Sequence, residues 1–272
     1  TALTPDQPLE VVLGDLEDLP ALHRLIEGAD AVIHVAGIIK ARRAAEFHTV
    51  NVEGTRNLAK ALTAVSPETR VIHVSSLAAR EPGLSPYCAS KRGGEDAIRT
   101  IPNPQRLTIL RPPAVYGPGD AEIFPMFKAA ALGFCTYPAA RGTRVSLIHA
   151  ADLAGAIVAA AETKLPDPLY ELDDGHAGGY AWPEIGSALS AALERPVKMV
   201  RVPRPALVAI AAGVELHRRV AGSLTALSLA KCRSSITPTG PPRGRGWKAA
   251  RPGSRHSHLQ KGLLTRWPGI AL

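Results

Sequence analysis

Cysteine, aromatic residues and long apolar runs are all scarce in this chain of 272 residues. Its three cysteines, Cys88, Cys135 and Cys232, have no regular spacing, so they predict neither a disulfide framework nor a zinc site. No apolar run approaches the roughly 20 residues that are needed to span a bilayer. We therefore expect a globular protein of the reducing cytoplasm, without a membrane span and without a bound metal.

Acidic residues are missing from the last part of the chain, and this absence explains most of the net charge. The formal net charge is +8, but residues 234–272 contain seven Lys or Arg residues and no Asp or Glu, which leaves +1 for the remainder. Aromatic residues make up only 4% of the chain and do not alternate with the basic ones. Because a single-stranded nucleic-acid surface needs that alternation, we predict no nucleic-acid partner and an irregular basic tail over 234–272.

Apolar segments at strand spacing alternate with segments at helical spacing. Strands are predicted at 11–13, 31–35, 71–74 and 107–110, and helices at 18–28, 47–64 and 86–99. Strands that are separated by such helices favour parallel crossovers, so the predicted fold is α/β with a doubly wound parallel sheet. Ligands of such sheets bind at the carboxyl ends of the strands. The residues at those ends are Asp15, Ala36, Gly37, Ser75, Ser76, Arg111 and Pro112.

A tyrosine and a lysine in the third predicted helix suggest acid/base chemistry. Tyr87 and Lys91 are four residues apart, so they share one helical face and the ammonium can favour the ionised phenol. A phenol has a pKa of roughly 10, and work near neutrality needs such a charge and a hydrogen-bonding hydroxyl. Ser76, eleven residues before Tyr87, supplies that hydroxyl. The alternative is an ordinary exposed Tyr and Lys pair.

Five further segments occur in an order that identifies a family. Together with Ser76, Tyr87 and Lys91, they make the chain resemble an extended short-chain dehydrogenase/reductase of the NAD-dependent epimerase/dehydratase group, over about residues 9–233. The family fold is Rossmann-like with a small C-terminal substrate-capping region. The segments are VLGDL at 12–16, IHVAG at 33–37, NVEGT at 51–55, LRPPAVYGPGD at 110–120 and IHAADLA at 148–154.

The resemblance implies roles for individual residues. Tyr87 is the expected acid/base, Lys91 lowers its pKa and contacts the nicotinamide ribose, and Ser76 hydrogen-bonds the reacting oxygen. Asp15 would accept from the adenine amine, and the small Ala36 and Gly37 would let the cofactor pass close to the backbone. The full predicted set of NAD or NADP contacts is Asp15, Leu16, Val35, Ala36, Gly37, Asn51, Ser75, Tyr87, Lys91, Pro112 and Val115.

Simpler roles are open for several of these residues. Asp15 fits a helix N-cap almost as well. Ser75 and Ser76 could satisfy backbone groups at a strand end, and Asn51 could be an ordinary capping residue. Two groups outside this set are expected to do no chemistry. His34, His73 and His149 are predicted as core histidines, and Glu95 and Asp96 as a solvated helical face.

Two departures from the family pattern affect the expected function. No strand with a glycine-rich phosphate loop precedes the first matching segment, which starts near residue 9; from this we expect an amino-terminal truncation and weakened NAD(P) binding. The residue that separates NAD from NADP would lie in the same missing part. The predicted domains are a partial Rossmann-like domain at 1–120, to which 145–163 return, a capping region at 121–144 and 164–233, and the tail.

The second departure is the tail itself. Reading the codons one nucleotide earlier from about Arg233 turns residues 234–240 into ELYHPDW and residues 260–272 into SKGLADTVAWYRA, given permissible codon choices. Both resemble the expected ending of relatives of this family. We therefore favour a reading-frame shift over a disordered basic tail. DNA sequencing that found no slip would refute this hypothesis.

The resulting functional prediction is an NAD(P)-dependent oxidoreductase or epimerase that acts on a secondary alcohol or ketone. The substrate would be a small molecule, either a nucleotide sugar or a steroid-like or other hydrophobic alcohol. The resemblance also disfavours dehydration, because the stretch 75–80 lacks the carboxylates that dehydratase members of the family carry there. A homodimer through the helices at 47–64 and 86–99 is a guess from the resemblance. The alternative is a non-catalytic relative that serves as a binding or scaffold subunit.

Overall fold

The computed structural model describes residues 10–138, 143–176, 178–203 and 206. The helices are α1 Leu19–Ile26, α2 Ala44–His48, α3 Gly54–Val65, α4 Pro86–Ile98, α5 Phe124–Ala131, α6 Ala150–Glu162 and α7 Trp182–Ala192, with a π-helical segment Thr49–Glu53 between α2 and α3. The strands are β1 Ala31–His34, β2 Arg70–Val74, β3 Leu107–Arg111, β4 Ala114–Tyr116, β5 Phe134–Pro138, β6 Arg144–Val145, β7 Leu147–His149, β8 Leu169–Glu171, β9 Tyr180–Ala181 and β10 Lys198–Val202.

Four strands form the main sheet, in the order β1-β2-β3-β8. β1 and β2 are parallel with His34 opposite His73, and β2 and β3 are parallel with Val74 opposite Leu110. Helices connect the paired strands, α2 and α3 between β1 and β2 and α4 between β2 and β3. The predicted α/β fold with a parallel sheet is therefore confirmed.

The chain divides into two compact units. In its described part, the first unit comprises residues 10–82, 86–111 and 157–170. Its core is formed where α1, α3 and α4 pack on the sheet, and it includes the fully buried Ile26, Leu62, Ile98 and Ile109.

Local signals fix the first helix of this unit. The carboxylate of Asp18 accepts a hydrogen bond from the Ala21 amide at 3.0 Å, which caps α1 at its N-terminus. Gly28 follows the helix with a φ of 71°, a left-handed conformation that favours glycine. The prediction of a helix between Asp18 and Gly28 is confirmed.

The predicted strand at 11–13 is wrong. The structure has no strand there, and Val11 and Leu13 are 68% and 83% exposed. In a sheet of this class two further strands separate that position from the strand that corresponds to β1. The described residues form neither of those strands, so residues 11–13 have no ladder of hydrogen bonds to join.

The second unit comprises the described residues of 83–85, 112–156 and 171 onward. It contains three strand pairs, β4 with β7, β5 with β10 and β6 with β9. Tyr116, Cys135, Leu147 and Leu189 belong to its core. The role of this unit as a substrate cap is still a prediction. The predictions for residues 207–272, which concern Cys232, the basic tail and the frame shift, lie outside the described residues.

Candidate active site

The carboxyl end of β2 brings the three predicted catalytic residues together. Beyond this strand, Ser76 has an extended backbone, and its hydroxyl accepts a hydrogen bond from the Ala78 amide at 3.2 Å. That hydroxyl also forms a side-chain hydrogen bond with Tyr87 in the first turn of α4. Lys91 lies one helical turn further along α4. Since Ser76 accepts from Ala78, its own proton is available to the phenolic oxygen.

Tyr87 is half-buried and keeps its proton at neutral pH. Burial raises the pKa of its phenol, the hydrogen bond from Ser76 lowers it, and the net shift is upward. The ring packs edge-on against Phe47, with 5.9 Å between the ring centroids. A protonated phenol next to a hydroxyl donor can give its proton to an oxygen atom. The hydroxyl donor can then stabilise the resulting phenolate by a hydrogen bond.

The ammonium of Lys91 points to the end of β2. Its Nζ donates to the carbonyl oxygen of Val74 at 3.0 Å. Burial lowers the pKa of Lys91 to about 8, while the charge of Glu95 raises it. Burial of the phenol dominates the pKa of Tyr87, and the Lys91 ammonium is bonded to a backbone carbonyl, so the lowering of the Tyr87 pKa by Lys91 is still a prediction.

The prediction that Glu95 and Asp96 form a solvated helical face is wrong for Glu95. Asp96 is exposed, but Glu95 is completely buried. Its carboxylate accepts from Ser75 Oγ at 2.6 Å and from the Nε and a terminal nitrogen of Arg111, both at 2.7 Å. Arg99 adds a contact at 3.4 Å. Burial raises the pKa of the Glu95 carboxyl, but these partners outweigh it and the net shift is downward.

A sequence signal for Glu95 existed. The residue lies four positions after Lys91, so it shares the helical face of the half-buried lysine rather than that of Asp96. Arg111 is the charged residue at the end of the apolar strand β3, where a buried cation needs an anion. The two signals belong to different elements, and only the fold brings them into contact.

Asn51 connects three parts of the site. Its Oδ1 accepts from the Ile38 amide at 2.8 Å, and its Nδ2 donates to the Ile38 carbonyl at 3.0 Å and to Ser90 Oγ at 2.9 Å. These bonds tie the chain beyond β1 to the π-helical segment and to α4. A Cβ on Gly37 would lie 2.9 Å from Asn51 Oδ1, so this glycine is also explained by packing.

Two other predicted cofactor residues have local structural partners. Asp15 Oδ1 accepts from the backbone amides of Glu17 and Asp18 at 2.8 and 3.1 Å, so its carboxylate organises the turn before α1, whose cap is Asp18. The half-buried side chain of Leu16 packs on the core. Adenine contacts by Asp15 and Leu16 are still predictions.

The remaining residues predicted to contact the cofactor differ in their exposure to solvent. Val35 is 58% exposed, and Ala36 and Gly37 are exposed too, all just beyond β1. Ser75 is buried with its hydroxyl bonded to Glu95. In the second unit, Pro112 is buried, and Val115 lies in β4 opposite Ile148 of β7.

Two of the three histidines form a buried pair in the sheet. The rings of His34 and His73 lie 5.1 Å apart, and His34 Nε2 is 2.9 Å from Thr55 Oγ1. Because the Thr55 hydroxyl donates to the Asn51 carbonyl at 2.8 Å, His34 must donate to Thr55 through a protonated Nε2. Burial lowers the pKa of His34 to about 4 and that of His73 well below its ordinary value, so both rings are neutral.

The described part of the chain has neither a metal-binding cluster nor a membrane-spanning helix. Within the described ranges, no group of three or more His, Cys, Asp or Glu side chains could hold a metal ion. No helix among those residues is long and apolar enough to cross a membrane.

The α/β fold with its parallel sheet is Rossmann-like, as in solved structures that hold NAD or NADPH. Residues 2–171 match the NAD dependent epimerase/dehydratase family, and the chain belongs to that family. The predicted family membership is thus confirmed.

The chain is similar to several characterised proteins. It is 40% identical to the ceramide reductase of Caulobacter vibrioides (strain NA1000 / CB15N) over 245 residues, which cover 89% of this chain and 76% of that protein. RMD from Pseudomonas aeruginosa complexed with NADPH has a TM-score of 0.60 at 22% identity, covering 75% of this chain and 79% of its own. UDP-glucuronic acid 4-epimerase from Bacillus cereus in complex with NAD has a TM-score of 0.59 at 20% identity, covering 70% and 68%. The last two similarities concern the fold alone.

Proposed function

We propose that this chain is an NAD(P)H-dependent carbonyl reductase that converts a hydrophobic ketone into a secondary alcohol. The observation that carries the proposal is the protonated phenol of Tyr87, which is hydrogen-bonded to Ser76 one helical turn before Lys91. The 40% identity to a ceramide reductase supports reduction over epimerisation and a lipid over a sugar. The substrate would then be keto-ceramide, the ketone that corresponds to the secondary alcohol of ceramide.

The residues of the site would supply the proton. The phenol of Tyr87 donates its proton to the carbonyl oxygen while the carbonyl carbon receives a hydride, so the ketone gains two hydrogen atoms in all. The Ser76 hydroxyl stabilises the phenolate that forms, and the positive charge of Lys91 stabilises it through space. Solvent then returns the proton to Tyr87, and the site regains its starting state.

The cofactor would supply only the hydride, and some described residues fit it. Val35, Ala36 and Gly37 form an exposed stretch of mostly small side chains at the carboxyl end of β1, where a flat nicotinamide-ribose group can approach the backbone. Lys91, whose Nζ is bonded to the Val74 carbonyl at the end of β2, would be the residue that donates to a ribose hydroxyl of the cofactor. We assign these residues to the nicotinamide half of NAD or NADP. The choice between the two cofactors stays open.

The test is deuterium transfer from labelled cofactor. The full chain is incubated with keto-ceramide in detergent micelles and with NADH or NADPH that carries deuterium on the reactive carbon. We expect a ceramide with the label on the new carbinol carbon, detected by mass spectrometry. An epimerase takes a hydride from its substrate and returns it without net consumption of cofactor, so UDP-glucuronic acid with the oxidised cofactor serves as the comparison.

Each outcome assigns the protein differently. Label in ceramide supports the reductase proposal. Epimerisation of the sugar nucleotide without net oxidation of the cofactor would refute it in favour of the epimerase. Cofactor binding without turnover of either compound would also refute it, in favour of the binding or scaffold subunit.

A further inference from the structure

A buried ionic cluster joins three elements around the candidate active site. Its centre is the carboxylate of Glu95 on α4, which contacts Ser75 beyond β2 and Arg111 at the end of β3. The bond from Ser75 is 2.6 Å long, and both bonds from Arg111 are 2.7 Å long. Short bonds to an ionised carboxylate are among the stronger ones in proteins, and the paired geometry of Arg111 also fixes orientation.

Ser75 transmits this anchoring to the next residue, Ser76. The Ser75 amide donates to the Leu110 carbonyl at 2.7 Å, and its hydroxyl donates to Glu95. Both its backbone and its side chain are thus fixed before the chain reaches Ser76. The Ser76 hydroxyl can then meet Tyr87, which lies two helical turns before Glu95 on the same helix.

Glu95 lies one helical turn after Lys91 on the same face of α4, which brings its negative charge close to the ammonium. Glu95 raises the pKa of Lys91, and the rings of His34 and His73 also interact with Lys91. The same carboxylate is paired with Arg111 and Arg99. The two rings are neutral above the low pKa values that burial gives them, so they do not offset the ammonium in the working range. Glu95 is also completely buried, where solvent screens its charge little.

We propose that Glu95 is a positioning residue, whose carboxylate sets the place of Ser76 through Ser75 and holds Lys91 in its charged form. The effect on catalysis rests on the proposed function, whereas the effect on Lys91 does not. Two side chains offer matched variants. E95Q removes the buried charge while keeping the size of the side chain, and D96N removes an equal charge at the exposed neighbour, whose side chain is 63% exposed.

The first readout is the pKa of Lys91, which requires no substrate. Lysine is labelled isotopically at Nζ, the Lys91 signal is assigned by its loss in K91R, and the full chain is titrated by NMR from about pH 6 to about pH 10. We expect E95Q to lower the pKa of Lys91 by about one unit and D96N to leave it nearly unchanged. Equal shifts in both variants, or no shift in E95Q, would overturn the proposal.

The second readout uses S75A, which keeps the Glu95–Arg111 pair and therefore stays testable where E95Q fails to fold. Loss of one positioning hydrogen bond should lower kcat about three- to tenfold, whereas a role of Ser75 as a cofactor contact would raise KM for the cofactor instead. The NMR signal of isotope-labelled Tyr87 should shift as well, even if keto-ceramide is not the substrate. An unchanged kcat and Tyr87 signal, or a loss confined to KM for the cofactor, would contradict the positioning role.

Discussion

Gly94 offers a direct test of how the site is assembled, because its replacement would force two elements apart. A Cβ at this position would lie 2.7 Å from the carbonyl oxygen of Asn51, which is closer than real Cβ atoms approach a backbone oxygen. The obstacle cannot rotate away, because it is backbone and it already accepts from the Thr55 hydroxyl at 2.8 Å. In G94A, α4 must therefore move away from the π-helical segment.

The magnitude follows from a comparison of two helical glycines. Overpacking of this kind costs about 1–3 kcal/mol, while the better helix propensity of alanine returns about 1 kcal/mol. Gly155 in α6 is exposed, and a Cβ there would meet nothing within 4 Å. G155A should therefore raise the free energy of unfolding only by the better helix propensity of alanine, about 1 kcal/mol. The free energies of unfolding of the two variants should differ by about 1–3 kcal/mol, the overpacking term.

The assay is urea unfolding followed by circular dichroism, combined with hydrogen exchange of the amides in α4. We expect a lower midpoint and faster exchange in G94A, and a raised midpoint in G155A. If G94A were as stable as G155A, the close packing of α4 on Asn51 would be wrong. The account of how Asn51 reaches Ser90 would then fail too.

Two further predictions concern stability. N51A should lose about 2–4 kcal/mol of unfolding free energy, because three hydrogen bonds of a buried side chain disappear. Urea midpoints measure this loss. A loss below about 0.5 kcal/mol would contradict the role of Asn51. The pKa of His34 is lowered to about 4 from 6.5, so the unfolded chain binds more protons between these values and stability falls as the pH drops through this window. H34Q should reduce that slope by up to about 1.4 kcal/mol per pH unit, and an unchanged slope in unfolding at several pH values would refute it.

Much of the first unit could be predicted because its signals are local. Asp18 and Gly28 mark the two ends of one helix, and the spacing of Tyr87 and Lys91 places both on one face of another. The parallel order followed from helices between strands. These features depend on neighbours in the sequence, and the structure has them where expected.

The rest depended on contacts between distant residues. Glu95 looks like a surface residue beside Asp96, and its burial is decided by Arg111, sixteen positions later. The segment 11–13 had the right composition for a strand, but the described residues offer no neighbouring strand with which it could pair. The π-helical turn at Asn51 has no pattern of its own, because the helical spacing continues through it. For Glu95 the deciding partner lies in another element, which local spacing does not reveal.

The most direct test of the central claim is single-turnover reduction of keto-ceramide by the unchanged chain and by Y87F, at saturating NADPH or NADH. Phenylalanine preserves the packing against Phe47 and removes only the hydroxyl that gives the proton. The account predicts cofactor oxidation by the unchanged chain and a rate at least about 100-fold lower in Y87F at saturating cofactor. Equal rates in the two proteins would contradict the claim that Tyr87 is the proton donor.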